Sequence, residues 1–220
     1  MKSRVFSVLF AVALFLLIIS FSIGLPIYLR PFYYAHISAC ELEANSGYTE
    51  EEIREAYDEV LDYLTLPHKE FGTGVMAYSE SGEAHFMDCK SLFTINAVTL
   101  ICSFVVVLTL FALKKLGVID NLLIGRRSAA FWSAVSLLSL FAVAGIVVSV
   151  DFYGFFIIFH KILFPGKLNW YFDPRYDEII NVLPEQFFMN CALLAIGSII
   201  ILSLTLVFIE FFCKKTGKKS

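Results

Sequence analysis

The sequence predicts an all-α, polytopic membrane protein with four transmembrane helices and a small extracytoplasmic subdomain. Hydrophobic residues make up 58% of the 220 residues, above the roughly 45 to 50% typical of soluble domains. They are concentrated in four runs that are almost free of charge. Each run has about 20 residues or more, enough for ~30 Å of helix at ~1.5 Å per residue. The predicted spans are residues 5–29, 92–113, 129–150 and 187–213.

Basic residues beside the spans predict the orientation in the membrane. Lysines and arginines gather in residues 1–4, 114–128 and 214–220, and short loops rich in these residues stay in the cytoplasm. Residues 30–91 and 151–186 are then extracytoplasmic. All four histidines, at positions 36, 68, 85 and 160, fall in those two segments.

The first apolar run is expected to be an uncleaved anchor. It is longer than the ~7 to 15 residues of a signal-peptide core, and no clear small-residue cleavage site follows it. Gly24 and Pro26 are expected to bend or end its outer turn.

The first extracytoplasmic segment is predicted to contain one amphipathic helix. Thr49 and Glu52 fit a capping box, and apolar residues then recur at helical spacing as far as residue 64. The helix is expected from about residue 50 to 64, with Pro67 beyond its end. Residues 71–78 are expected to form a strand or an extended loop.

The cysteines do not suggest a disulfide framework. Cys102, Cys191 and Cys213 lie in spans or at their ends, which leaves Cys40 and Cys89 outside. The sequence allows a disulfide between those two but does not determine it. No pair of cysteines has the spacing of metal ligands, and no metal site is predicted.

His85 and Asp88 are the first candidates for chemistry. On a helix they share a face, and the carboxylate would orient one ring nitrogen and raise the basicity of the other. On a strand they point apart. A lone histidine at a membrane boundary is more often an interfacial hydrogen-bonding residue than a catalyst.

The second extracytoplasmic segment begins with an aromatic run. Residues 152–159 follow Asp151 and lead directly to His160. A carboxylate is costly in hydrocarbon, so Asp151 is expected near the surface or facing a polar interior. The aromatic rings are expected either to lie among lipid headgroups or to line a slot for acyl chains, and the sequence does not decide between these.

Further along, ordinary structural roles explain most polar residues. Asp173 and Pro174 suit the cap and first residue of a short helix. Arg175 and Asp177 are expected to pair, and Trp170 is expected to anchor the chain at the membrane interface. Asn96 and Asn190, inside spans, are expected to make interhelical hydrogen bonds.

Several of these residues together resemble a known family. The stretch from Ser79 to Lys90, which ends His-Phe-x-Asp-x-Lys, is followed by Phe-His at 159–160, by Asn-x-x-x-Asp-Pro-x-x-Asp at 169–177 and by Leu-Pro at 183–184. With four spans and Tyr-Leu at 63–64, this order is similar to that of the bacterial lipoprotein intramolecular transacylases. The resemblance covers nearly the whole chain; at position 89 the family favours a small aliphatic residue.

The resemblance implies a substrate and a reaction. The substrate would be a lipoprotein whose N-terminal cysteine carries a diacylglyceryl thioether and a free α-amine. The enzyme would move the sn-2 acyl chain to that amine, giving a lyso-form lipoprotein. His85 and His160 would be catalytic, with Asp88, Asn169, Asp173, Arg175 and Asp177 in supporting roles, in a multi-pass protein of the bacterial cell membrane whose active site faces outwards.

Physical chemistry is consistent with that expectation. The nucleophile and the ester belong to one molecule, so positioning supplies much of the rate and no serine or cysteine nucleophile is needed. An α-amine with a pKa of ~7.7 to 8.0 is mostly protonated at pH 7, so a general base is useful. The sequence does not determine which histidine is the base and which donates to the oxyanion, although the nearby Asp88 favours His85 as the base. The resemblance implies no cofactor and no nucleic acid, only the lipoprotein substrate and membrane lipid as partners.

Two other classes of protein fit part of the sequence. A metal-dependent membrane hydrolase could use His85, His160 and carboxylates such as Asp88 or Asp173 as ligands, although no H-E-x-x-H or comparable motif is present. A non-enzymatic tetraspan scaffold has the same topology, although its large outer loop usually holds a cysteine framework that this sequence lacks.

Overall fold

A computed structural model describes residues 2–216, with side chains from residue 4 to residue 212. Most of the chain is helical. In chain order the helices are α1 Lys2–Tyr28, α2 Arg30–Ala39, α3 Leu42–Ser46, α4 Glu50–Thr65, α5 Glu80–Lys115, α6 Ala129–Val150, α7 Phe152–Leu163 and α8 Glu185–Thr216. Two short strands, β1 Leu123–Ile124 and β2 Arg127–Ser128, and a 3₁₀ helix, Glu178–Asn181, complete the elements. Part of the orientation prediction rests on lysines outside this description, namely the side chains of Lys2, Lys214 and Lys215 and the whole of Lys218 and Lys219. The side chain of Cys213, at the end of the fourth predicted span, also lies outside it.

Four helices are long and apolar enough to cross a membrane, which confirms the predicted number of spans. They are Arg4–Tyr28, Glu80–Lys115, Ala129–Val150 and Glu185–Phe212. Many of their apolar side chains, such as Ile101 and Phe208, are exposed on the helix surface. Lipid tails can cover such side chains, because in a bilayer the solvent is itself apolar. Gly24 and Pro26 do not end α1, which continues to Tyr28.

Helix α5 begins 12 residues before the predicted span. With 36 residues it is about 54 Å long at ~1.5 Å per residue, far more than the ~30 Å hydrocarbon core requires. Its first turn is capped because the Gly82 N–H donates to the Ser79 hydroxyl at 3.0 Å. His85 therefore lies on a helix.

The chain divides into two compact units. The first comprises the segments up to Gly24, Ala97–Ile146 and from Leu193. Apolar clusters hold it together, one around Phe10 and Leu110 and another around Ile18 and Leu137. The segment before α6 also forms an antiparallel hairpin of β1 and β2, which we did not predict. Gly125 supplies its turn with a φ of 64°.

The second unit comprises Leu25–Asn96 and Val147–Ala192. Its core confirms the predicted amphipathic helix, observed as α4, and the reciprocal capping box of Thr49 and Glu52 is formed. The ring of Tyr33 on α2 stacks on Tyr57 of α4 at 3.7 Å between centroids. The Tyr33 hydroxyl also donates to the Val182 carbonyl at 2.8 Å. Helices α2 and α3 were not predicted.

Residues 71–78 form a loop with a turn, so the strand-like alternative is wrong for this segment. Carboxylates satisfy backbone N–H groups that a strand would pair with a neighbour. Glu59 accepts from the Gly74 N–H at 2.7 Å, and Glu178 accepts from the Ala77 N–H at 2.7 Å. Because these N–H groups already have acceptors, they do not need hydrogen bonds from a neighbouring strand.

The helix predicted after Asp173 is only a turn. The Asp173 carbonyl accepts from the N–H groups of Tyr176 and Asp177, both at 2.9 Å, and no helix continues until the 3₁₀ helix at 178. The predicted pairing of Arg175 with Asp177 is also wrong. Arg175 instead pairs with Asp173, at 2.6 Å between Nη2 and Oδ2.

The disulfide that the sequence allowed is not formed. Cys40, Cys89, Cys102 and Cys191 are free thiols. Cys40 and Cys89 pack separately against the apolar core of the second unit.

Candidate active site

Two of the four histidines meet in the second unit. His85 lies on α5 and His160 on α7, and their ring centroids are 5.9 Å apart at an angle of 36°. The rings are almost fully buried, with 6% of His85 and 8% of His160 exposed. Buried ionisable groups in close contact are unusual and mark a candidate active site.

Helix α7 explains how the aromatic run brings His160 to this place. Asp151 is its N-cap, and the carboxylate accepts from the Gly154 N–H at 2.8 Å. The run is therefore helical, with Phe152 and His160 on its buried face and Tyr153 and Phe159 exposed. One face of the run lines the site.

Aromatic side chains enclose both imidazoles. His160 lies 4.0 Å from the ring centroid of Phe156 and stacks on Trp170 at 4.8 Å. His85 makes edge contacts with Phe164 at 4.9 Å and Phe172 at 5.5 Å. Trp170 is only 5% exposed, so the prediction that it anchors the chain at the membrane surface is wrong. Sequence spacing gave no sign of these contacts.

The tautomer of neutral His160 follows from its hydrogen bond. Nδ1 lies 2.8 Å from the Phe156 carbonyl oxygen, and a carbonyl can only accept. The ring proton is therefore on Nδ1, and Nε2 keeps its lone pair. Burial lowers the pKa of His160, and the Phe156 hydrogen bond partly opposes this shift. The neutral ring, with a basic Nε2, is the favoured form at pH 7.

His85 is held differently. Its Nε2 lies 3.4 Å from the Cys89 sulfur, one helical turn further along α5. Its Nδ1 is buried and makes no hydrogen bond within the described part of the chain. A buried nitrogen with no partner is costly unless a ligand satisfies it.

Asp88 does not orient His85 by a hydrogen bond, contrary to the sequence prediction. Its carboxylate accepts from the Lys167 ammonium at 2.6 Å and from the Asn169 amide at 3.2 Å. These two donors come from the loop after α7, so they compete with the imidazole for the same oxygens. Asn169 is thus placed beside Asp88, and Lys167 is a neighbour that the sequence did not reveal.

The remaining predicted residues lie in separate contacts. Asp173 and Arg175 form an exposed pair, and the Arg175 guanidinium lowers the pKa of Asp173 to about 2. Asp177 is buried and accepts from the N–H and the hydroxyl of Ser79, at 2.8 and 2.9 Å. It therefore ties down the start of α5, the helix that carries His85. Within the described residues, these three side chains make no hydrogen bond or ion pair with either imidazole.

The other histidines have ordinary roles. His36 is buried, and its Nδ1 lies 2.6 Å from the Phe32 carbonyl oxygen. Its Nε2 lies 2.8 Å from the Asn190 amide nitrogen, so Asn190 makes the contact between helices that we predicted. His68 is exposed on the loop after α4.

A cavity of about 250 Å³ lies between α5 and the chain at the end of α7. Asp88, Ser91 and Lys167 form its polar side. Its apolar side is formed by Leu92, Leu163, Phe164 and Pro165. Phe164 also contacts both imidazoles, so the cavity and the histidines share a wall. Among the side chains of residues 4–212, no group of three or more from histidine, cysteine, aspartate or glutamate is arranged to hold a metal ion.

Comparisons with known proteins agree on one family. Residues 8–188 match the family model described as lipoprotein intramolecular transacylase Lit. The fold is similar to the solved structure of the membrane-integral lipoprotein intramolecular transacylase Lit from Bacillus cereus. The TM-score is 0.89 at 20% identity, covering 100% of this chain and 99% of that one. A variant of the Bacillus cereus protein with a histidine-to-alanine mutation matches at a TM-score of 0.78 and 20% identity, covering 100% and 96% of the two chains. No curated protein sequence matches the chain.

Proposed function

The chain belongs to the lipoprotein intramolecular transacylase family, and from that premise we propose that it moves the sn-2 acyl chain of a diacylglyceryl-cysteine lipoprotein to the α-amine of the same cysteine. It is a membrane-integral enzyme with a lipoprotein substrate. The observation that carries the proposal is the buried pair of His85 and His160. Each ring has one nitrogen that is not committed to a strong hydrogen bond with the protein.

His160 is the general base. Its Nδ1 proton is donated to the Phe156 carbonyl, so Nε2 accepts a proton from the substrate's α-ammonium. The neutral amine then attacks the carbonyl carbon of the sn-2 ester. This proposal differs from the preference for His85 as the base, because that preference depended on a hydrogen bond between Asp88 and His85, and Asp88 instead accepts from Lys167 and Asn169.

His85 is the donor to the oxyanion. When the Cys89 thiol donates to Nε2, the ring proton is on Nδ1, the buried nitrogen without a protein partner. Attack by the amine converts the carbonyl oxygen to an oxyanion, which accepts this N–H. Removing one such donor typically costs about 10² to 10³ in rate.

The α-ammonium loses two protons during the reaction: one ends on the glyceryl oxygen and the other is released to solvent. Collapse of the tetrahedral intermediate breaks the bond between the acyl carbon and the glyceryl oxygen and forms the amide. His160 gives the first proton to solvent before the amine attacks, so its Nε2 can then take the second proton from the attacking nitrogen and deliver it to the glyceryl oxygen. Both imidazoles are neutral again at the end.

The apolar enclosure favours migration over hydrolysis. Phe156, Phe164, Trp170 and Phe172 surround the histidines, and a dry site keeps water from the ester while it is held beside the amine. The substrate's own nitrogen is then the nucleophile within reach.

The test is to give purified protein a diacylglyceryl lipopeptide and to analyse the product by mass spectrometry. We expect an isomer of unchanged total mass whose α-amine is acylated, without added metal, ATP or phospholipid. Acetylating the amine beforehand should abolish turnover. Release of free fatty acid from the acetylated lipopeptide, at the rate seen with the free amine, would instead identify an esterase.

A further inference from the structure

The polar rim of the 250 Å³ cavity suggests where the substrate's charged amine binds. The Asp88 carboxylate lies on this rim with its side chain 18% exposed. It accepts one hydrogen bond from Lys167 and one from Asn169. Two carboxylate oxygens offer about four acceptor positions, so further donors can bind there.

Asn169 adds a second acceptor. Its amide nitrogen donates to Asp88 at 3.2 Å, while its amide oxygen is buried and has no hydrogen-bond partner among the atoms that the structure describes. A buried carbonyl oxygen without a donor costs free energy that a ligand N–H would recover. Asp88 lines the cavity, and the Asn169 amide bonded to it brings an unsatisfied acceptor next to this negative charge.

A primary ammonium already lies at this position. The Lys167 side chain is half exposed, and its Nζ is 2.6 Å from the carboxylate. A half-exposed lysine is held weakly, because solvent screens its ion pair. An alkylammonium therefore suits the site, and an incoming one can displace the lysine.

The cavity also shares a wall with the two histidines that carry out the proposed reaction. Its wall Phe164 contacts the ring of His85 at 4.9 Å and lies 5.7 Å from that of His160. On the proposed function, the substrate reaches the protein with its α-amine mostly protonated. That amine must be brought to the histidines before it can lose a proton.

We propose that the Asp88 carboxylate and the Asn169 amide oxygen form the binding subsite for the substrate's α-ammonium group, and that this group displaces the Lys167 ammonium. This inference rests on the proposed function and adds which residues recognise the substrate. Asp88 then contributes to substrate binding, in place of the orienting role on His85 that the sequence suggested. Lys167 keeps the carboxylate neutralised and competes with the substrate.

The test measures binding without turnover. The probe is a lipopeptide with an ether in place of the sn-2 ester, prepared with a free α-amine or as its desamino counterpart, and binding is followed by fluorescence anisotropy in detergent. The full-length protein should bind the amine form about tenfold or more tightly than the desamino form. D88N should remove this preference, and N169A should reduce it.

Two lysine variants sharpen the result. K167M should tighten binding of the amine form, because the competing cation is gone. K161M, which removes an exposed lysine near the end of α7, should leave the preference as it is. If D88N melts below the assay temperature, K167M alone still tests the idea.

A preference that persists in folded D88N, or weaker binding of the amine form by K167M, would overturn the subsite. Neither result depends on catalysis. Failure of the proposed function would appear separately, as an absence of the acylated isomer when the wild-type protein is given the ester substrate.

Discussion

The imidazoles of His85 and His160 differ in which nitrogen the protein engages, and that difference gives them different chemistry. His160 is fixed by a backbone carbonyl one turn earlier on its own helix, so its tautomer is set locally. His85 meets a thiol one turn later on its helix. The rings are 5.9 Å apart, so two positive charges would repel each other in this apolar enclosure. We therefore expect at most one of the two imidazoles to be protonated at a time.

Replacing each histidine in turn tests this division of work. H160A and H85A should each lower kcat by a factor of about 10² or more, because each removes proton transfer or oxyanion stabilisation. Turnover of diacylglyceryl lipopeptide is the measurement, with the melting temperature in detergent recorded for each variant.

The matched control is H68A, since His68 is exposed on a loop and surface substitutions of this kind change stability little. His36 is unsuitable as a control because it is buried and bonded to Asn190, so its loss would weaken the fold. If H160A or H85A stays folded and fully active, the assignment is wrong.

The burial of His160 also predicts how stability depends on pH. Its pKa is lowered in the folded protein, whereas the unfolded chain has a value near ~6.5. The unfolded state therefore binds more protons in the window below pH 6.5. The stabilisation is complete above pH 6.5 and is lost as the pH falls towards the lowered pKa.

The measurement is the melting temperature in detergent at pH 7.5 and at pH 5.5. H160Q cannot titrate at this position, so its melting temperature should fall less between the two pH values than that of the wild type. If the melting temperature falls equally in the two proteins, folding does not lower the pKa of His160.

At the scale of elements, the site depends on how α5 begins. Ser79 caps the helix, Asp177 accepts two hydrogen bonds from Ser79, and Gly82 lies against the same carboxylate. His85 follows one turn later. A change at Gly82 should therefore reach the histidine through the helix.

G82A tests this link. A Cβ at residue 82 would lie 2.1 Å from Asp177 Oδ1, so the carboxylate or the helix must move, and overpacking of this kind costs about 1 to 3 kcal/mol. We expect a lower melting temperature and lower activity. G197A is the matched control, because a Cβ there meets nothing within 4 Å and alanine favours a helix.

A double variant separates the clash from other effects of alanine. In a D177A background the clash partner is gone, so the additional loss caused by G82A should shrink. If G82A behaves like G197A, Asp177 does not fix the start of α5.

The elements that could be predicted from the sequence are those specified by local pattern. Length and hydropathy gave the four spans, and the capping box with its apolar spacing gave α4. Helices α2 and α3 were missed because their stabilising contacts, such as Tyr33 with Tyr57 and with Val182, join residues far apart in sequence. The same reason explains the errors at the site, where Lys167 takes the carboxylate that sequence proximity assigned to His85.

At the scale of the whole molecule, the number of spans and the proposed outward-facing position of the site must be consistent with the distribution of lysines and arginines beside the spans. The basic residues beside the spans predict that both termini are cytoplasmic, which agrees with an even number of crossings. Lipoprotein substrates anchored in the outer leaflet would then meet His85 and His160 on their own side of the membrane.

Labelling single cysteines in intact cells tests this orientation. In a cysteine-free background, E51C and L168C should react with a membrane-impermeant maleimide added from outside, because both positions are exposed and lie in segments predicted to be extracytoplasmic. N121C, exposed in the connection before α6, should react only after the membrane is permeabilised. The reverse pattern would place both histidines on the cytoplasmic side. A lipoprotein anchored in the outer leaflet does not present its ester and amine there, so the proposed reaction would require a substrate from the inner leaflet.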